Sequence, residues 1–192
     1  MPTPPSRVVI VGASLGGASA AVALRELGFD GEVLLIGAET HLPYERPPLS
    51  KAVLLGDTDE PDWVKDADYY TANNIGLLSG KVATAIDRER HVVLAGSEEY
   101  PYERLLLATD STPRRLPVPG ADLEGIVTLR TLDNSLALRK RFTDGARIVI
   151  VGAGWIGCEA AAAARKHGAT VTVLESASQP TGLSPGSSAT GS

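Results

Sequence analysis

The positions where this sequence could do chemistry are two glycine-rich turns. Gly152-Ala153-Gly154-Trp155-Ile156-Gly157 has the G-x-G-x-x-G spacing. In such a turn the first glycine allows a tight reversal and the second lets a pyrophosphate approach main-chain atoms. The third lets the following helix pack close to the strand. The helix N-terminus then offers free N–H groups and partial positive charge to the phosphates. Glu175 follows at the end of the next strand-like run. A carboxylate there can accept hydrogen bonds from a ribose diol and repel a 2′-phosphate, which favours NADH over NADPH. The alternative for this segment is an ordinary tight turn between strand and helix. Gly12-Ala13-Ser14-Leu15-Gly16-Gly17 is a second, less regular copy, with Ser14 in place of the second glycine. Serine is small enough to permit the phosphate approach. The acid is displaced here: Ala38 follows Gly37 and Glu39 comes next, either a ribose acceptor or a solvated loop acid.

The elements that must position these turns are legible around them. Arg7–Val11 (RVVIV) is a β-branched run that reads as a strand buried on both faces of a parallel sheet. Ala18 to Leu27 carries Ala, Val and Leu at helical spacing and is closed by Gly28. Glu32–Ile36 (EVLLI) is the next strand, completing a βαβ unit. The same order recurs: Arg147–Val151 (RIVIV), the second turn, an alanine-rich helix over Cys158–His167 and the strand Ala169–Leu174. The offset is about 140 residues, so the chain repeats one nucleotide-type unit. Trp155 and Ile156 are expected to pack within their turn. Between the units, Leu42–Ser50 (LPYERPPLS) is too rich in proline for helix or sheet and reads as a loop of fixed shape. Asp62 to Asn74 reads as a helix. Lys81–Ile86, His91–Leu94 and Arg104–Ala108 read as three strands of an antiparallel meander. Pro113 to Gly120 is an extended connector. The fold class expected is therefore α/β, with two Rossmann-like βαβ units, an antiparallel β-meander and an incomplete second unit.

Composition narrows the function. The 192 residues carry 18 Lys and Arg against 23 Asp and Glu, a net charge of −5. That is a poor basis for gripping nucleic acid or an anionic membrane. No apolar run approaches a bilayer span, and MPTPPS lacks the features of a secretory signal, so a cytoplasmic protein is expected. Cys158 is the single cysteine. It excludes an intrachain disulfide, a Cys-x-x-Cys redox pair and a cysteine-based zinc site. His41, His91 and His167 show no metal-ligand spacing, so no metal is expected; His91, in an apolar strand-like stretch, and His167, near a helix end, read as structural. Two dinucleotide units together suit an enzyme that passes electrons from NAD(P)H to a bound flavin. The onward acceptor cannot be a cysteine pair of this chain.

The runs VVIVGASLGGASAAVALRELGF, LPYERPPLSK, YERLLLATDSTPRRLPVPG, LRTLD and IVIVGAGWIGCEAAA resemble the FAD-dependent ferredoxin and rubredoxin reductases of oxygenase systems. The resemblance extends from Arg7 to about Glu175. It implies an enzyme that carries electrons from NADH through FAD to a ferredoxin or rubredoxin serving a cytochrome P450 or ring-hydroxylating oxygenase. It also implies that the first unit binds FAD and the second NAD(H). Gly12, Ser14, Gly16 and Gly17 would line the FAD pyrophosphate, Glu39 the adenosine ribose and Ala83 the adenine through its backbone. Arg46 and Lys51 would reach the flavin side, and Thr109 and Arg130 would also contact FAD. Gly152, Gly154, Gly157 and Glu175 would hold NADH. The resemblance further pairs Lys51 with Glu159 beside flavin N5 as the catalytic groups. An ammonium there stabilises negative charge on reduced flavin, and the carboxylate keeps it oriented.

Two departures from the family pattern stand out. Asp110 follows Ala108-Thr109 where the family has glycine, in a turn whose backbone is costly for other residues. Family members are also much longer than this chain, which raises the alternative of a catalytically inactive remnant that binds nucleotide weakly or not at all. The division expected is an FAD-binding segment over 1–120, a linker over 121–145, the start of an NAD-binding domain over 146–175 and a disordered Ser/Gly/Pro tail over 176–192.

Overall fold

The computed structural model describes residues 5–176; the expected tail lies, beyond Ser176, outside the described residues. The chain forms two compact units. The first takes the described residues up to Glu45 together with Asp62–Thr112, and the second takes Arg46–Pro61 and the described residues from Pro113 on.

In the first unit, β1 (Arg7–Val11), β2 (Glu32–Ile36), β3 (Ile75–Leu78) and β7 (Arg104–Leu107) make a four-stranded sheet in the order β3-β2-β1-β7. All its pairings are parallel. Strand periodicity sorts the apolar side chains onto two faces. Val8, Ile10, Val33 and Leu35 meet Ala18 and Ala21 of α1 (Leu15–Glu26) and Tyr70 of α3 (Ala67–Ala72). Val9, Val11, Leu34 and Ile36 face Val93 and Ala95 of a separate antiparallel sheet. That sheet is β4 (Ala83–Asp87), β5 (Val92–Ala95) and β6 (Glu98–Pro101). The central strands are therefore buried on both sides, as their unbroken apolar runs require. Each Val, Leu or Ile buried there contributes roughly 1.5–3 kcal/mol.

Several expectations need correction in this unit. Arg104–Leu107 is not the last meander strand: it runs parallel to β1, Val8 opposite Arg104. The third antiparallel strand is β6, which pairs Val93 with Tyr100 after a turn at Gly96 (φ +64). The polar run EEYP hid it, because β6 is largely exposed and needs little hydrophobic pattern. The helix expected from Asp62 is only α3, capped by Asp66, whose carboxylate accepts the Tyr69 N–H at 2.8 Å. Upstream, Trp63 instead forms an antiparallel bridge with Tyr44. His91 is not in a strand but in the left-handed turn before β5 (φ +53), its ring stacked on Tyr102.

In the second unit, β8 (Arg147–Val151) and β9 (Thr170–Leu174) pair in parallel around α5 (Trp155–Lys166). Ala160, Ala163 and Ala164 of α5 form a core with Leu54, Phe142 and Ala169. Small alanines let the helix approach closely. The opposite face of this two-stranded sheet is bare, with Val149 62% and Val151 56% exposed. The proline-rich segment belongs to this unit. Pro47–Ser50 is one turn of 3-10 helix, followed by α2 (Ala52–Leu55), which buries Leu54 completely. The segment expected as a linker contains α4 (Leu132–Arg139), started by a reciprocal box in which Thr131 accepts the Asn134 N–H and Asn134 accepts that of Thr131. Arg139 then donates to the carbonyls of Val53 (2.9 Å) and Thr58 (3.0 Å) and pairs with Asp59. These bonds tie α4 to the segment that follows the prolines. Among the described residues no helix is long and apolar enough to cross a membrane.

Candidate functional site

Each glycine turn sits at the C-terminal end of the first strand of its unit, where open α/β sheets bind ligands. In the first turn, Gly12 has φ +113, and a Cβ there would lie 2.0 Å from the Ala108 carbonyl oxygen. Glycine is obligatory because the end of β7 crosses so close. A Cβ on Gly17 would lie 1.8 Å from the Gly12 carbonyl oxygen, so α1 presses directly onto the turn. Gly16 has nothing within 4 Å of the equivalent position. Ser14 is the N-cap of α1, and its side chain makes no capping hydrogen bond. The turn thus leaves the first N–H groups of a twelve-residue helix facing the strand ends. Glu39 accepts a 2.5 Å hydrogen bond from the Tyr44 hydroxyl. Ala83 pairs with Ala95 at the edge of a register shift in the antiparallel sheet. Thr109 follows Ala108, whose N–H bonds the Val11 carbonyl at 2.7 Å. Asp110 has φ +66, the left-handed backbone that glycine takes freely, and its carboxylate accepts the Ser111 N–H at 2.9 Å.

The second turn repeats the helix contact of the first but not its crowding by a neighbouring strand, since a Cβ on Gly152 meets nothing within 4 Å. Gly152 has φ +100, and a Cβ on Gly157 would lie 2.0 Å from the Gly152 carbonyl oxygen. Gly154 is the N-cap of α5 and faces open space. Glu175 folds onto the turn, its carboxylate accepting the Ala153 N–H at 2.7 Å. Trp155 and Ile156 do not pack within the turn as expected: they are 67% and 55% exposed on the first turn of α5. The helix takes its core contacts from the alanines further along, and these two residues sit on its first turn, before those contacts begin.

The same unit carries Arg46, Lys51, Arg130 and Glu159. Arg46 Nη1 donates to the Arg130 carbonyl at 2.9 Å, and both line a cleft with Leu49, Ser50, Leu129 and Ile156. Lys51 Nζ lies 3.1 Å from Glu159 Oε1. Ser50 donates to Glu159 Oε2 at 2.5 Å. The Ser50 hydroxyl first, with help from the Lys51 ammonium, holds the Glu159 carboxyl below the usual carboxylate range against the opposing effect of desolvation. Gly12, Ser14, Gly16, Gly17, Glu39, Ala83 and Thr109 belong to the first unit.

The model of the Pyridine nucleotide-disulphide oxidoreductase family matches residues 6–189. The chain belongs to this family. It is 43% identical over 175 residues to the ferredoxin reductase component of chlorobenzene dioxygenase from Cupriavidus sp. (strain PS12), covering 91% of this chain and 43% of that protein. It is 42% identical over 172 residues to a rubredoxin-NAD(+) reductase of Pseudomonas putida, covering 88% of this chain and 45% of the relative. Among solved structures, the ferredoxin reductase for the CYP199A2 system from Rhodopseudomonas palustris superposes with a TM-score of 0.88 at 39% identity, covering 94% of this chain and 45% of that one. The chain spans less than half the length of these members of the family.

Sequence reasoning did not single out Ser50, Tyr44 or Gly37. A Cβ on Gly37 would lie 2.5 Å from that of Ala13, so this glycine lets β2 end against the first turn. Only its place at a strand end hinted at that. The Ser50 hydroxyl finds its acceptor 109 residues away, a pairing with no local signal.

Proposed function

We propose that this chain supplies the nucleotide-binding turns of a flavin-dependent oxidoreductase that takes electrons from NADH and delivers them to a ferredoxin or rubredoxin serving an oxygenase. The observation that carries this reading is the duplicated turn. Two parallel strands each end in a glycine reversal against which a helix packs to the point of excluding a Cβ, at Gly17 and at Gly157. The residues fit a dinucleotide. Gly16 and Gly154 face open space where a diphosphate needs to approach the backbone, and helix N-termini supply donors.

In the first unit Gly12, Ser14, Gly16 and Gly17 hold the FAD diphosphate, Glu39 the adenosine ribose, and Ala83 and Thr109 further parts of the cofactor. In the second unit Gly152, Gly154 and Gly157 hold the NADH diphosphate and Glu175 its ribose. Glu175 already rests on the Ala153 N–H, so its carboxylate is oriented before any ribose arrives. Arg46 and Arg130 are assigned to FAD. Lys51, oriented by Glu159, places a positive charge for the flavin ring. FAD, when bound, accepts a hydride from NADH and releases electrons singly to a one-electron acceptor. An ammonium so placed would favour the more negative, reduced state of the flavin ring.

The bare face of the β8–β9 sheet favours a second reading, in which the polypeptide by itself folds but retains nucleotide poorly. The two readings separate when the purified chain is incubated with excess FAD, desalted and scanned. Retained flavin absorbance that bleaches on adding NADH supports the oxidoreductase. A colourless, folded protein that leaves NADH unoxidised supports the second reading.

A further inference from the structure

We propose that Ser50 is the positioning residue of the Lys51–Glu159 pair, its hydroxyl holding one carboxylate oxygen so that the other is presented to the ammonium. The bearing of this clamp on flavin chemistry rests on the function proposed above; the clamp itself does not. Ser50 is buried, and its Oγ reaches Glu159 Oε2 at 2.5 Å, while Lys51 Nζ reaches Oε1 at 3.1 Å. The two oxygens thus have different partners from adjacent residues. Lys51 alone is a weak anchor, since its side chain is 57% exposed. A pair of that kind contributes little and leaves both long side chains free to rotate. A buried hydroxyl on a rigid turn, bonded to an ionised oxygen, is the stronger constraint.

The turn is rigid for reasons that can be followed back through the unit. Pro47 and Pro48 fix the backbone at its start. Leu49 is buried, and its carbonyl accepts the Ser135 hydroxyl at 2.6 Å. Ser135 is itself fully buried on α4, whose first turn is locked by the Thr131–Asn134 box. The support therefore runs from α4 through Leu49 to Ser50 and ends on Glu159 of α5. Each serine spends its hydroxyl on one long-range acceptor.

The test is a titration of the Glu159 side-chain carboxyl by NMR in the full chain without cofactor, in four backgrounds: the parent, Ser50→Ala, Lys51→Met and the double variant. The expected result is an upward shift of the Glu159 titration in Ser50→Ala. Lys51→Met is expected to shift it upward in the parent and by clearly less in the Ser50→Ala background, because an unheld carboxylate no longer meets the lysine. Ser50→Thr, which keeps the hydroxyl, is expected to titrate like the parent. An unchanged titration in Ser50→Ala, or a Lys51→Met shift of the same size in both backgrounds, overturns the proposal. Should Ser50→Ala lose the native amide spectrum, Ser50→Cys takes its place under the same outcomes. A chain that titrates as expected but retains no FAD keeps the clamp and loses the flavin reading; FAD retention with additive shifts does the reverse.

Discussion

Gly154 and Gly157 stand three residues apart in one motif, yet their surroundings differ, and under the proposed function alanine at each separates stability from binding. A Cβ on Gly157 would lie 2.0 Å from the Gly152 carbonyl oxygen, a backbone atom that cannot swing aside. Relieving such an overlap means moving α5 off the turn and opening the Ala160, Ala163 and Ala164 contacts behind it. Overpacking of this kind costs about 1–3 kcal/mol, sometimes more. A Cβ on Gly154 meets nothing within 4 Å, and its backbone (φ −72) suits any residue. Exchanging glycine for alanine at an N-cap changes stability by no more than about 1 kcal/mol. On the function proposed above, however, the new methyl stands where a diphosphate must approach. Urea unfolding of both variants, with and without NADH, is the assay. For the parent, ligand at about 100 times its dissociation constant adds about 2.7 kcal/mol. Gly154→Ala is expected to keep most of the unliganded stability and lose about half or more of that increment, equivalent to a weakening of binding by about tenfold or more. Gly157→Ala is expected to lose stability before any ligand is added. Equal stabilities for the two variants, or a Gly154→Ala chain that gains as much from NADH as the parent, would refute the reasoning.

Asp110→Gly removes a left-handed aspartate (φ +66) at the cost of its bond to the Ser111 N–H. The melting temperature is expected to hold or rise, by up to about 1 kcal/mol in stability, and a clear fall in a thermal melt would count against strain at this turn. Glu175→Ala removes the proposed ribose acceptor and the bond to the Ala153 N–H. Calorimetric titration should show the preference for NADH over NADPH narrowing by about tenfold; an unchanged ratio rejects the assignment. The lowered pKa of Glu159 sets a pH dependence of definite sign. The unfolded chain binds the proton more readily, so the stabilisation is complete above the ordinary carboxylate pKa and is lost as pH falls through the lowered folded value. Glu159→Gln is expected to flatten the acid limb of the urea midpoint against pH; an unaltered limb would show that the carboxylate is not held.

The repeated strand–turn–helix–strand was open to sequence reading because its causes are local. β-branched runs, alanine spacing and glycines with φ above +100 or at +100, as at Gly12 and Gly152, act over a few residues. The left-handed backbone of Asp110 was legible only through the resemblance, which places glycine at that turn. Tertiary structure decided what depends on a partner distant along the chain. Arg104–Leu107 became a parallel strand because β1 offered it a free edge, not because of its own pattern. The polar strand β6 formed because β5 offered its edge. The proline-rich segment joined the second unit because Leu54 found the alanine face of α5 and Arg139 took up its carbonyls. Ser50 acquired a role only when folding brought α5 beside it. Local conformational preference is written residue by residue, whereas edge pairing, burial and long-range hydrogen bonds exist only once the chain has closed on itself.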